Sequence, residues 1–524
     1  MAVIGKNILE NLTTGMYYDS KVIYREYIQN ACDQIDKAEK QGLLEKGEGT
    51  VDIDIDQRSR CVTITDNATG VPKDLFRSQL GDIANSDKER GKDKGFRGIG
   101  RLCGLAYCKT LTFCATAKGE SVKSIMKIDA QKMREMLASP VKYSVDDILD
   151  AITTYDEKPE DADEHFFIVQ LQDINHENTD LLDKAKVSGY LSFVAPVPFN
   201  NKFRHRTKIH DHAASLGYHI DEYRVFVGGN QIFKEYGMRL YRKNDSGGIK
   251  QAYDEIRDVT FHEIYKDKTL VAWMWYGLCR FDGAIPKKEN PMYGFRVRQS
   301  NIQIGSNTEI ARFFKEERGN SYFVGEIYAV HKELTPNSQR DNFNETPIRI
   351  YYETELERYC HDVLHKLYNM ANNVKKSYTR LMEYSSVVEK YTTKSKEGFI
   401  DDHERIELEN KLLAAEKKKD EAKKAIEKLP SHSDVGDNPT AIVQRAIKEN
   451  FDKKSTEKKA LEAERKQASS GKTSSKSKYF TDSLSKLDKN KRKLIAQVMV
   501  IVSKHTDEAT LRQHRTNATI RIIQ

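Results

Sequence analysis

Three observations predict an α+β protein whose amino-terminal part is an α/β sandwich. Ile23, Tyr27, Ala31 and Ile35 recur at four-residue spacing, which gives a helix one apolar side to pack on a sheet. Val51-Asp-Ile-Asp-Ile-Asp56 alternates strictly, and after the polar turn Gln57 to Arg60 comes Cys61-Val-Thr-Ile-Thr65, so the two runs predict an antiparallel hairpin. From residue 350 the chain turns to long stretches rich in Glu, Lys, Ala and Leu, which predict long helices.

Taken in order, the first helix carries a second pattern. Within Glu26-Tyr-Ile-Gln-Asn30-Ala-Cys-Asp33, the residues Glu26, Asn30 and Asp33 fall at i, i+4 and i+7, so two carboxylates and an amide share one face. That face can hold a metal and a water; alone, such a row reads first as a solvated helix face. Asp66-Asn-Ala-Thr-Gly70-Val follows the second strand and alone reads as a turn, because Asn, Asp and Gly tolerate turn dihedrals. Gly95-Phe-Arg-Gly98-Ile-Gly100-Arg101 has a Gly-x-x-Gly-x-Gly spacing that is common by chance, and Ile99 to Tyr107 reads as a helix. Between the glycine clusters, Ile83 to Lys94 is short, polar and charged with Gly91 as hinge, and reads as a lid. Strands at 110–116, 122–128 and 166–171 complete an antiparallel or mixed sheet with its helices on one face.

The domain boundaries follow from changes of character: 1–200, then 201–370 with strand-like runs at 223–227, 269–276, 294–297 and 322–330, a helical or coiled-coil segment at 371–430, a linker-rich helical segment at 431–480, and a helical docking tail at 481–524. Pro430 to Pro439 and Ala468 to Ser477 read as linkers. The Gly-Lys-Thr in the second lacks the earlier glycine and preceding strand of a phosphate-binding loop. The tail pairs the basic cluster Lys489 to Lys493 with the apolar run Val498 to Val502.

With 38% hydrophobic and 31% charged residues, and no long apolar run, the chain is predicted to be soluble with two or three cores. The amino terminus shows no secretory signal, and seven cysteines without a Cys-x-x-Cys pair suggest reduced thiols in a cytoplasmic protein. Cys61 and Cys114, within strand patterns, are expected to fill core. A net charge of +7, from 86 basic against 79 acidic residues, permits nucleic-acid contact without arguing for it.

The three polar clusters together, in this order, resemble the GHKL ATPases, the superfamily of gyrase B subunits, ninety-kilodalton heat-shock chaperones, sensor histidine kinases, MutL and MORC proteins. The helix is similar to their N box, Asp66 to Val71 to the first glycine box, Gly95 to Gly100 to the second, and Leu80-Gly-Asp-Ile-Ala-Asn-Ser86 to the start of the chaperones' nucleotide lid. The resemblance implies ATP with Mg2+. Under it Glu26 is the general base and Asn30 the magnesium ligand. Asp66 accepts from the adenine amine, while Gly70, Gly95, Gly98 and Gly100 let backbone approach base and phosphates. Asp33, Ser86 and Ile99 line the nucleotide, and Arg97 and Arg101 add charge or simply face solvent. Leu334 to Phe343 is similar to the loop by which a transducer-like second domain sends a basic residue to the γ-phosphate, with Arg340 the candidate.

Two departures stand out. Ala68 occupies a position where many members have glycine, so its turn must avoid positive φ or accept strain. The Gly-Thr expected before the late strand is absent from Asp163-Glu-His-Phe-Phe-Ile168, leaving one contact to adenine unassigned. A histidine kinase is disfavoured by the position of the ATP domain, and a topoisomerase by the lack of a cleavage domain. Two functions remain: an ATPase that uses lid closure and homodimerisation to act on a protein client or DNA, chaperone-like or in a defence system, and a nucleotide-gated recruitment module with little turnover.

Overall fold

The computed structural model describes residues 5–13, 19–81, 100–244, 248, 250–427 and 438–470. The expected lid, the second glycine cluster up to Ile99, most of both linkers and the tail lie outside them. The chain divides into two compact units, Met1–Ala371 with Asp437–Val443, and Asn372–Gly436 with Gln444–Gln524.

The first unit opens with α1 (Asn7–Thr13) and α2 (Val22–Lys40), then the hairpin β1 (Thr50–Asp56) and β2 (Cys61–Asp66). On α2, Ile23, Tyr27, Ala31 and Ile35 are at most 3% exposed, so the apolar spacing faces the sheet as expected. Lys37 and Lys40 in the last turn complement the helix dipole. In β1, Val51, Ile53 and Ile55 are buried while Asp52, Asp54 and Asp56 are exposed, which leaves one sheet face packed and one in water. After α3 (Lys73–Gly81) a 3-10 turn spans Gly100–Ala106, where the sequence predicts α-helix; β3 (Cys108–Thr116) and β4 (Val122–Asp129) follow. Then come α4 (Ala130–Ala138), α5 (Val145–Ile152), β5 (Thr153–Pro159), β6 (Phe166–Ile174), α6 (Lys184–Val194) and α7 (Arg206–Ser215). β7 (Arg224–Val227) and β8 (Asn230–Gln231) complete an eight-stranded sheet of order β5-β4-β3-β6-β2-β1-β7-β8. The pairing of β1 with β7 is parallel, so the sheet is mixed, and the run at 223–227 joins this sheet although it lies beyond residue 200.

A short ribbon, β9 (Arg239–Lys243) and β10 (Lys250–Glu255), precedes β11 (Asp258–Lys266), β12 (Thr269–Leu278), β13 (Gly294–Gln299), β14 (Ile302–Ile304) and β15 (Val324–Ala329). The last five form a second sheet of order β11-β12-β15-β13-β14. Behind it lies a buried charge cluster. Lys234 Nζ donates to Glu326 Oε2 (2.9 Å) and Asn301 Oδ1 (2.7 Å), Tyr236 donates to Glu326 Oε1 (2.9 Å), and Arg298 Nε bonds the same oxygen. Burial works to raise the Glu326 pKa, but Arg298 and Lys234 outweigh it and hold the carboxylate down to about 2.

α8 (Pro347–Tyr359), capped by Thr346, leads through one π turn into α9 (His365–Glu397). α9 turns at Gly398 (φ 93°) into α10 (Asp402–Glu427), and α11 (Pro439–Ser470) follows. Lys394 with Glu404 (2.9 Å) and Arg380 with Glu421 (3.6 Å) pair α9 and α10 antiparallel. α11 continues through Ala468 to Ser470, where the sequence predicts the start of a linker.

Cys61 and Cys114 are only half-buried; the deeply buried thiols are Cys32, Cys103, Cys108, Cys279 and Cys360. Cys114 lies between the inward-facing Phe113 and Ala115 of β3, so the pleat turns it to the other face. Among the described residues no helix is long and apolar enough to cross a membrane.

Candidate functional site

α2, the end of β2 and the Gly100–Ala106 turn bring most of the described candidate residues together. Glu26 is 6% exposed and Asp33 3%, while Asn30 is half-buried. This face of α2 is therefore largely covered.

A buried carboxylate needs compensating charge, and Glu26 has two guanidiniums against it. Arg25 Nη2 lies 3.2 Å and Arg340 Nε 3.3 Å from Glu26 Oε1. Arg25 also donates to the Gln339 carbonyl at 3.2 Å, so the loop carrying Arg340 meets α2 at two adjacent points. The loop is itself braced. Asn337 N–H donates to the Asn342 carbonyl and Gly305 N–H to the Arg340 carbonyl, both at 2.8 Å. Arg340 takes a left-handed backbone (φ 56°), a strained choice for a non-glycine residue that this bracing sustains.

The glycines of the turn fit closely against α2. A Cβ on Gly100 would stand 2.8 Å from Glu26 Oε2, and one on Gly104 would stand 2.5 Å from the Tyr27 hydroxyl. That hydroxyl donates to the Arg101 carbonyl (2.9 Å) and accepts from Gly104 N–H (3.2 Å), fixing the turn to the helix. Arg101 sends Nη1 to the Gln79 carbonyl at 2.6 Å, at the end of α3. Ser86, Gly95, Arg97, Gly98 and Ile99 lie outside the described residues.

Asp66 ends β2 on the packed face, in phase with Val62 and Ile64. It is 5% exposed and accepts from Ala68 N–H at 3.1 Å through Oδ1. Burial pushes its pKa up to about 7, against the smaller pull of that N–H. Ala68 avoids positive φ, and the left-handed position falls on Gly70 (φ 61°) instead. A Cβ on Gly70 would stand 1.8 Å from the Thr116 carbonyl oxygen and 3.1 Å from that of Phe166, so only glycine passes the adjoining ends of β3 and β6 here.

Sequence reasoning missed three residues of this corner. Arg25 is simply the neighbour of Glu26, and Tyr27 reads as packing alone. His165, just before β6, sets Nδ1 2.6 Å from the Ala68 carbonyl oxygen, and the next inward residue, Phe167, stands opposite Asp66. The stretch that lacks the expected Gly-Thr thus presents an imidazole beside the first glycine box.

Chemically, the corner fits a nucleotide. Asp66 offers a buried acceptor with Oδ2 not engaged by a described donor, Gly70 holds the chain after Asp66 close against the Thr116 carbonyl, and Asn30 carries a hard oxygen of the kind magnesium takes. Among the described residues no cluster of three His, Cys, Asp or Glu side chains could hold a metal. Asn30 suits an ion that keeps water and phosphate oxygens as its other ligands.

Residues 18–156 match the family described as histidine kinase-, DNA gyrase B-, and HSP90-like ATPase. The match includes Glu26, Asn30, Asp66, Gly70 and Gly100 but not Arg340. The chain is similar to the chaperone protein HtpG of Photorhabdus laumondii, at 33% identity over 135 residues, 22% of this chain and 21% of the relative. It is also similar to HtpG of an Enterobacter species, 27% identical over 164 residues (28% of this chain, 25% of the relative). For HtpG of Clostridium acetobutylicum the identity is 32% over 87 residues (16% and 14%). The similarity thus spans a quarter or less of the length of these curated relatives.

Proposed function

Since residues 18–156 are an ATPase domain of the histidine kinase-, DNA gyrase B- and HSP90-like type, we propose that this chain binds ATP at the corner between Asp66 and Glu26 and hydrolyses it with magnesium. Asp66 accepts the adenine amine, and Gly70 and Gly100 let the backbone close on base and phosphates. Asn30 would hold the metal, which supplies charge neutralisation on the phosphates. Glu26 takes a proton from the attacking water. Arg340 moves from Glu26 to the terminal phosphate and stabilises charge in transfer. The observation that carries this reading is the pairing of buried Glu26 with Arg340, 314 positions away in sequence, at 3.3 Å.

Lid closure and pairing of two chains would then convert hydrolysis into work on a macromolecular client. The HtpG similarity supports a chaperone-like role over other members of the family. Phosphate release measured with MgATP, with ATP plus chelator, and with MgGTP tests the proposal. Turnover that needs magnesium and prefers ATP supports it; no release at saturating MgATP overturns the hydrolase.

A second reading, a nucleotide-gated recruitment module with little turnover, is favoured by one feature. Glu26 Oε1 is already engaged by two guanidiniums, Arg25 at 3.2 Å and Arg340 at 3.3 Å, which leaves that oxygen no place for a water. Tight ATP binding with no turnover, and dimerisation on binding seen by light scattering, would select it.

A further inference from the structure

We propose that Arg242, Lys243 and Lys250 on the β9–β10 ribbon form a binding surface for B-form duplex DNA. The inference is independent of the ATPase reading and rests on different residues.

The ribbon forms a two-stranded sheet of its own. Its register sets Lys243 directly opposite Lys250 and Arg242 opposite Gln251. Like charges facing across a strand pair are destabilising, and no described carboxylate pairs with Lys243 or Lys250 to offset that cost. Arg242, Lys243 and Lys250 are all exposed, and none forms an ion pair with a described carboxylate. Among the described residues, the nearby Asp254 and Asp282 are engaged by Arg280 instead, at 3.3 and 2.9 Å.

The cations are also held in place. Lys250 Nζ lies 4.6 Å over the Tyr241 ring and the Arg242 guanidinium 5.3 Å over Tyr253. Because side chains alternate along a strand, Tyr241, Lys243 and Lys250 take one face of the ribbon and Arg242 with Tyr253 the other. Asn290 bonds both main-chain groups of Tyr241, accepting from its N–H at 2.7 Å and donating to its carbonyl at 2.8 Å. This closes the outer edge of β9, and it brings the exposed, ion-pair-free Lys287 and Lys288 alongside.

Positive charge on both faces of a narrow ribbon suits a partner with phosphates on two sides. The major groove of B-form DNA admits a two-stranded β-ribbon between two phosphate walls. The deep, narrow major groove of A-form RNA does not, and an acidic protein surface would engage one face only. Ring-capped cations favour phosphate contact over base stacking, which selects duplex over single-stranded nucleic acid.

Fluorescence anisotropy of the full chain with a labelled duplex DNA, over a salt series, tests this in wild type and in the triple variant Arg242→Glu, Lys243→Glu, Lys250→Glu. Wild type should bind with steep salt dependence. The variant should bind at least ~10-fold more weakly at ~0.1 M salt, with a log–log salt slope shallower by about 2 to 3, near 0.9 for each phosphate no longer neutralised. Thermal unfolding within a few degrees of wild type shows that the substitutions leave the fold intact. Duplex RNA of the same sequence and polyglutamate are the competitors. No DNA binding by wild type, or equal binding by the variant, overturns the proposal. Competition by either polymer as strong as by unlabelled DNA also overturns it.

Discussion

Lowering the pH should loosen ATP while tightening the empty fold, and both effects trace to Asp66. Burial raises this carboxyl from 3.8 to about 7. At about pH 6 only roughly a tenth of it is ionised, and at about pH 5 roughly a hundredth. If the ionised form accepts the adenine amine, the apparent Kd rises about tenfold for each pH unit below about 7, or ~1.4 kcal/mol per unit. The sign for folding is opposite. A raised folded pKa contributes stability that is full below the unfolded value near 3.8 and is lost as pH rises through about 7. For a carboxyl this deeply buried the total is on the order of 4 kcal/mol. Calorimetric titration with a nonhydrolysable ATP analogue across this range, in wild type and Asp66→Asn, isolates the effect, since the analogue's own titration cancels in the difference. Wild type should show the tenfold slope and proton release on binding; Asp66→Asn should bind more weakly and lack this slope. Equal slopes in the two proteins would refute the reasoning.

Further outcomes follow from the same geometry. Arg340→Ala should lower kcat by about a hundredfold or more with KM changed only a few-fold, because the guanidinium serves charge developing in transfer; a change in KM alone contradicts that role. Gly70→Ala should abolish nucleotide binding and lower the melting temperature, since its Cβ would meet the Thr116 carbonyl at 1.8 Å in a left-handed backbone; wild-type affinity and Tm together would dismiss the close-approach argument. In the buried cluster, Glu326→Gln leaves Lys234 and Arg298 without their common anion and should cost about 3–5 kcal/mol. Lys234→Met leaves the Arg298–Glu326 pair intact and should cost less, so denaturant midpoints in the reverse order would count against the charge assignment.

Local patterns are legible where one short segment decides the outcome. The apolar side of α2, the strict alternation of β1 and the glycine at position 70 each answer to backbone geometry within a few residues. β5 is not visible in the sequence, because Thr153–Pro159 is an edge strand exposed almost throughout and has no apolar alternation. The parallel pairing of β7 with β1 joins residues far apart in the chain, and no local signal records it. The same holds within the site. Glu26 and Asp66 announce themselves by spacing and resemblance, and Arg340 by its loop. The double clamp on Glu26, the Tyr27 hydroxyl on the Gly100–Ala106 turn, and His165 on the Ala68 carbonyl arise only when distant segments meet.

The central claim is that Glu26 performs a chemical step that nucleotide binding does not require. Glu26→Ala, assayed for MgATP turnover and in parallel for binding of a nonhydrolysable analogue, separates the two most directly. A general base contributes about 10²- to 10⁴-fold, so turnover should fall by that factor while the Kd stays within a few-fold of wild type. Retained turnover, or a loss of binding as large as that in Asp66→Asn, would contradict the assignment.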